Sequence, residues 1–305
     1  MVHAPVVLFV YNRLDHTKRT IEALKLNEGA QNTDLIVYSD APNNDEVSSQ
    51  VYSVRDYIKS INGFKSVHIV EREENWGLAK SIIQGVTQVV NEHGKVIVLE
   101  DDIVTSPAFL QFMNQALDFY GNQKKVWHIS GWNYPVDFKE LGDAFLWRGM
   151  NCWGWATWAD RWRYFEKNPE RLINEWSAED KDSFDLDGSG VFWKQVEANA
   201  KGKINTWAIF WYATIFQNQG LCLNPTVSYV DNIGLDGSGV HCGANDSHSL
   251  GYLNKEIGIA FPEQAFEDPR ALLKIKKFYA ELKKSFFIRV VNKVSRTISG
   301  KSLIK

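Results

Sequence analysis

Hydrophobic positions come in short unbroken runs over the first half of the chain: Val6–Tyr11, Leu35–Ser39, Val67–Glu71, Val96–Leu99 and Val126–Ser130. Each run is bounded by turn residues, and runs of this length read as strands buried on both faces. Between them, His16–Leu26, Glu46–Ile61, Ala79–Glu92 and Pro107–Tyr120 carry helical patterns. Pro107 suits a first helical turn, where a missing N–H costs nothing. Strands alternating with helices predict an α/β fold with a mixed, mainly parallel sheet flanked by helices. Ligands of such a sheet bind beyond the carboxyl ends of its strands.

After about Gly131 the texture changes. Trp, Gly and Asn become frequent, and strands are hard to place. Helical patterns fall at Ala156–Arg163, Pro169–Trp176, Val191–Ala200 and Trp207–Gln219, with loop-like stretches at 185–190 and 236–239. Within the first of these, Trp155, Trp158 and Trp162 fall at i, i+3 and i+7, which puts them on one helix face and in the core. No repeat or low-complexity segment interrupts the pattern. The expected organisation is a catalytic domain over 1–270 and a basic amphipathic tail over 271–305.

The charge distribution sharpens that boundary. The whole chain of 305 residues carries a net charge of -3, which does not suit a nucleic-acid binder. From Ala271 to Lys305, however, ten Lys and Arg stand against one acid, Glu281. Phe278, Tyr279, Phe286, Phe287 and Ile288 are interleaved among them. A helix lying on an anionic membrane surface has this composition, and so does a solvated C-terminal helix. The cysteines Cys152, Cys222 and Cys242 are odd in number and widely spaced, which favours a reducing compartment over a disulfide framework. The first apolar run is too short for a signal peptide and no run is long enough to span a membrane, so a cytoplasmic location is expected.

The strongest chemical signal is Val96-Ile97-Val98-Leu99-Glu100-Asp101-Asp102, a hydrophobic strand ending in three acids. Such a cluster repels itself unless something positive sits there. Hard oxygen ligands on a short loop suit Mn²⁺ or Mg²⁺, which binds through one or two carboxylates plus substrate phosphates. An acid cluster preceding a helix N-terminus is the structural alternative. Weaker signals follow the other strands. Asn12 and Arg13 leave the first, where an arginine could face a diphosphate. Asp40 leaves the second, where an acid could accept from ribose or base, or serve the turn before Pro42. Asn75 and Lys80 follow the third, and a lysine in a helix's first turn is disfavoured unless an anion sits nearby.

Taken in order along four successive strands, these residues resemble the GT-A glycosyltransferases. Glu100-Asp101-Asp102 looks like the "DxD" motif of that fold, and Asn75-Trp76-Gly77-Leu78-Ala79-Lys80-Ser81 resembles an element common in family 2 enzymes. The acids, the Pro-Ala-Phe helix start, Trp127-His128-Ile129-Ser130-Gly131-Trp132-Asn133 and Gly154-Trp155 together resemble N-acetylglucosaminyltransferase I and its bacterial relatives. The likeness runs from about Val6 to His241. It implies that Arg13 and Asp40 contact the nucleotide, that Glu100 and Asp101 touch ribose and sugar, and that Asp102 coordinates Mn²⁺. Asn151 to Trp155 would lie beneath the donor sugar, with Trp153 and Gly154 closest.

One position departs from the pattern. The relatives carry their catalytic base just after a Trp, and here Trp207 is followed by Ala208. An inverting transferase needs a general base near the acceptor hydroxyl. Asp231 and Asp236 in the following loop are the candidates, and His241 could bind metal or diphosphate. The expected activity is transfer of a sugar from a nucleotide-sugar donor to a carbohydrate acceptor. By resemblance the donor is a UDP-sugar, specifically UDP-GlcNAc. A lipid-linked acceptor for bacterial surface polysaccharide, met at the inner membrane face, fits the basic tail. A degenerate transferase that only binds glycans or nucleotides is one rival. A sugar-nucleotide nucleotidyltransferase is another, though the exit of the first strand lacks the Gly-rich loop of that class.

Overall fold

The computed structural model describes residues 3–236 and 252–283. In chain order the elements are β1 (Val6–Val10), α1 (Leu14–Lys25), β2 (Asp34–Ser39), α2 (Ser48–Ile58), β3 (Ser66–Glu71), α3 (Gly77–His93), β4 (Lys95–Glu100), β5 (Ile103–Thr105), α4 (Phe109–Phe119) and β6 (Val126–Ser130). They continue through β7 (Ala144–Trp147), β8 (Trp155–Trp158), α5 (Ala159–Trp162), α6 (Pro169–Glu175), α7 (Ala178–Phe184), α8 (Trp193–Ala200), α9 (Ala208–Gln217), β9 (Leu221–Pro225) and β10 (Val230–Asn232). A last helix, α10, occupies 269–283.

Among the described residues the main sheet has eight strands in the order β3-β2-β1-β4-β8-β6-β9-β7, and β10 pairs with β5 in a separate ribbon. The strands β3, β2, β1 and β4 are mutually parallel, while β8 runs antiparallel to β4 and β6. This is the mainly parallel α/β sheet that the apolar runs predict. Strands sandwiched between helices bury both faces, and the alternation of β1 shows it. Val6, Leu8 and Val10 enter one core cluster, and Val7 and Phe9 enter the other.

The stretch expected as a helix at 156–163 is instead a strand followed by one helical turn. In a strand, residues three apart point to opposite faces. Trp155 joins one core cluster and Trp158 the other, while Trp162 returns to the side of Trp155. All three are buried, as expected, but on two faces of the sheet and not on one face of a helix. The short strands β5, β7, β9 and β10 and the helix α7 have no counterpart in the sequence reading.

The helix α10 packs on the domain. Ala271 and Ile275 are fully buried, one turn apart, and Leu272, Phe278 and Tyr279 pack against the same cluster. The lysine Lys274 reaches Glu140 and the backbone of Asp137 from its flank. Within 269–283, the apolar stripe is therefore covered by the protein itself. Among the described residues no helix is long and apolar enough to cross a membrane.

Candidate active site

The acid cluster lies at the carboxyl end of β4, next to β1 in the sheet, where ligands of such sheets bind. Asp101 and Asp102 are buried, and Arg13 comes from the end of β1 to meet both. Its Nη2 donates to Asp101 and, at 2.9 Å, to Asp102, while its Nε donates to Asp101 at 3.3 Å. From α1, Thr20 donates to the backbone oxygen of Asp101 at 2.8 Å and fixes the turn. Burial pushes Asp101 up to about 6 despite the guanidinium. Burial and the two neighbouring aspartates push Glu100 up to about 8. One arginine therefore does not neutralise the cluster, which has the electrostatics of a cation site.

The β5–β10 ribbon brings a second segment onto these acids. Asn232 pairs with Ile103, and Ile233 donates its amide to the carbonyl of Asp102 at 2.9 Å. Gly234 follows directly above the Asp102 carboxylate, and a Cβ there would collide with it. Asp236, two residues on, lies 3.2 Å from His16 Nε2, and His16 belongs to α1 beside the acids. The sequence reading missed His16 because a histidine in a helical pattern carries no signal of its own. Asp231 is half-buried on β10, opposite Val104. His241 lies outside the described residues.

A second group forms where β2 and β3 end. Asp40 is buried and accepts from the amides of Trp76 (2.9 Å) and Gly77 (2.8 Å). It thus caps the first turn of α3 from a neighbouring strand. Asn75 ties the same turn to the carbonyl of Ala41 at 2.6 Å. Lys80 is exposed, with its ammonium 4.3 Å from the Trp76 ring, so an aromatic face already compensates its place near a helix N-terminus. Asn12 is bonded to Gln50 at 3.0 Å.

Arg72 completes this wall and was not anticipated. It is buried, stacked 3.7 Å from the centre of Trp76 and 5.1 Å from that of Tyr38. Its Nε and Nη2 are buried without a hydrogen-bond partner. A planar cation held flat with unused donors beside Asp40 is suited to a planar or anionic ligand. In the sequence it hides among acids, in Glu71-Arg72-Glu73-Glu74, and reads as solvated surface.

The loop before β8 forms the opposite wall. The pairing of Val98 with Trp155 runs on toward Glu100 and Trp153 as the strands leave the sheet. Gly154 has φ +60°, and a Cβ would come within 2.9 Å of Val230 and 3.2 Å of Phe109, so only glycine fits. Trp153 stands edge-on to Trp132, with ring centres 4.7 Å apart. The backbone of Asn151 is held at 2.9 Å by Nε2 of His128, whose Nδ1 accepts from Trp211 Nε1 at 3.2 Å. Burial lowers His128 to about 3, so the ring stays neutral as a structural brace.

A family model described as "Glycosyl transferase family 2" matches residues 6–177, more than half of the chain. The chain belongs to glycosyl transferase family 2. The match spans β1 to α6 and so includes Arg13, Asp40, the three acids and the Gly154 loop. Among solved structures, the chain is similar to the mannosyltransferase PcManGT from Pyrobaculum calidifontis, solved with GDP-Man and Mn²⁺. The identity is 14% and the TM-score 0.40, over 53% of this chain and 46% of that one. TarS from S. aureus aligns at 13% identity and TM-score 0.28, over 41% of this chain and 21% of that one. The aligned parts span less than half of either protein. No curated protein matches.

As a family 2 member with the GT-A fold, the chain has a donor set that fits a hard divalent cation. The converging side chains offer carboxylate oxygen only. Among the described residues no group of three or more His, Cys, Asp and Glu converges as a complete metal cage. Asp101 and Asp102 could offer one or two oxygen ligands, which is the share a protein usually contributes to Mg²⁺ or Mn²⁺.

Proposed function

We propose that this family 2 glycosyltransferase moves a sugar from a UDP-linked donor, specifically UDP-GlcNAc, to a carbohydrate acceptor with inversion. The observation that carries the reading is the buried acid cluster at the end of β4, under-neutralised by Arg13 and bordered by the Asp40–Arg72 wall. The base and ribose lie along Asp40 and Arg72, and Asn12, Asn75 and Lys80 border that groove. The diphosphate lies toward Arg13. Glu100 and Asp101 contact ribose and sugar, with Trp153 and Gly154 beneath the sugar ring. Asp102 would hold a divalent ion, which when bound would supply Lewis-acid stabilisation of the departing diphosphate.

Asp236 accepts the proton of the attacking hydroxyl, with His16 at 3.2 Å to orient it, and Asp231 is the second candidate. The acceptor is a lipid-linked glycan of bacterial surface polysaccharide. It is met by a cytoplasmic enzyme whose basic C-terminal segment rests on the anionic inner membrane face.

Calorimetry with a panel of nucleoside diphosphates, with and without Mn²⁺, tests the donor site. UDP binding that needs both the metal and Asp102 supports it. Binding that ignores Mn²⁺ and the Asp102→Ala change points to a non-catalytic binding protein, the reading that Ala208 favours. Deleting 284–305 tests the membrane role, which fails if vesicle partitioning is unchanged.

A further inference from the structure

Against the Asn151–Trp153 loop lies a cavity of about 270 Å³. Its walls come from five separate parts of the chain, and Trp132, Tyr134, Trp153, Gln195, Tyr212 and Tyr279 define its chemistry. Phe192 and Ala208 complete it, and no charged side chain lines it. A diphosphate or an ionic ligand would find no counter-charge there, and none of the donor-site acids or arginines reaches it. The volume falls just below the roughly 300–1,000 Å³ of pockets that bury drug-sized ligands, which leaves room for one sugar ring and not for a chain.

The lining has two kinds of surface. Trp132 stands edge-on to both Tyr134 and Trp153, at 4.9 and 4.7 Å, so indole and phenol faces are presented at steep angles. Such faces match the C–H faces of a pyranose. Polar edges interrupt them: Gln195, whose Nε2 donates to the Val191 carbonyl at 3.3 Å and leaves its side-chain oxygen available, and the paired hydroxyls of Tyr134 and Tyr279 at 3.0 Å. A saturated hydrocarbon ligand would give these polar groups no partner.

Two of these groups are placed with care. Asp185 accepts from the amides of Gly190, Val191, Phe192 and Trp193, which fixes the start of α8 and hence Phe192 and Gln195. Tyr279 comes from α10. It packs edge-on against Phe192 (5.5 Å) and Tyr134 (5.6 Å), and Lys276 of the same helix pairs with Asp187 in the loop before α8. The basic helix and the 185–192 loop thus close one wall together.

We propose that this cavity is the subsite for a single uncharged pyranose ring of the acceptor, and that Tyr279 of α10 and Gln195 read its hydroxyls. The assignment rests on the transferase reading above. It adds that the helix at 269–283 is part of the acceptor site and not only an attachment device. The Asn151–Trp153 loop, which lines the cavity, then borders both sugars.

The test uses the full-length chain and a panel of uncharged methyl glycosides: glucoside, galactoside and N-acetylglucosaminide. Saturation-transfer NMR is run with and without UDP and Mn²⁺, and UDP affinity is measured separately by calorimetry. At least one glycoside is expected to bind wild type through its ring protons. Tyr279→Ala should weaken it tenfold or more, and Tyr279→Phe or Gln195→Ala should weaken it less. UDP affinity should stay within twofold in all three variants. The hydroxyl-only change in Tyr279→Phe keeps the packing intact and guards against a folding artefact. The proposal is overturned if no glycoside binds wild type, if binding is indifferent to all three changes, or if UDP affinity falls in their place. Loss of UDP binding in wild type, with glycoside binding intact, would instead remove the donor reading and leave the cavity assignment standing.

Discussion

Strands β4 and β8 are hydrogen-bonded neighbours over Lys95–Val98 and Trp155–Trp158, yet they stand for two ways of building an interior. On the β4 side, Val96, Ile97, Val98 and Leu99 form a continuous aliphatic run between helices, and the buried acids gather at its carboxyl end. On the β8 side, Trp155 and Trp158 thread indoles to opposite faces; Trp207 stacks on the first, Trp162 packs against it at a tilt, and Trp211 packs against Trp162. The charges that region buries are bound to backbone or to one another, as Arg161 is to the carbonyls of Tyr120 and Gly121. The parallel half thus concentrates charge at one rim, and the aromatic half excludes it from its cavity. That division matches the proposed placement of a diphosphate-linked donor at the charged rim and a neutral acceptor ring in the cavity.

The largest effect expected is on the aromatic side. Trp155 is 1% exposed and contacts His128, Trp162 and Trp207. Trp155→Ala should cost about 3–5 kcal/mol of stability, read from urea unfolding. A cost as small as that of a surface change would mean the indole stack is not a unit. Next comes the brace at His128. The unfolded chain takes up a proton on histidine below about pH 6.5, while the folded chain resists it down to about 3. The unfolded state therefore binds more protons in that window. Stability from this group is full above about 6.5 and drains away as pH falls to about 3, by on the order of 4 kcal/mol. A His128→Gln variant should show a flatter acid limb in unfolding midpoint against pH.

On the charged side the expected effect is functional. Asp102→Ala should lower transfer rate by about 10²–10³-fold with an unchanged melting curve. Asp40→Ala should remove the cap on α3, costing roughly 1–2 kcal/mol, and should weaken nucleotide binding as a consequence. The smallest effect belongs to Lys277, which is 78% exposed and 3.9 Å from Glu281. Lys277→Ala should stay within about 0.5 kcal/mol of wild type.

The same contrast explains what could be read from the sequence. The strands β1, β2, β4 and β6 announce themselves because burial on both faces leaves an unbroken apolar run, whereas β3, expected to be buried in the same way, is a half-exposed edge strand; the acids stand out because nothing in a buried strand requires them. The aromatic half gives no such period. The spacing of Trp155, Trp158 and Trp162 satisfies a helix, and only the pairing of Trp155 with Val98 and Ser130 makes its first part a strand. Short strands such as Val230–Asn232 exist through their partner and not through their own pattern. Arg72 and His16 escaped notice for a related reason. Their placement depends on rings and carboxylates from other segments, which a linear reading does not bring together.

The edge-on pair of Trp132 and Trp153 has a spectroscopic consequence. Two indoles with centres 4.7 Å apart and planes at 75° are placed to couple their strongest, far-ultraviolet transitions, so a paired dichroism band is expected. Both rings line the cavity. A ligand that turns either indole changes the angle between the transition moments, so occupancy can be followed by circular dichroism on the unlabelled protein.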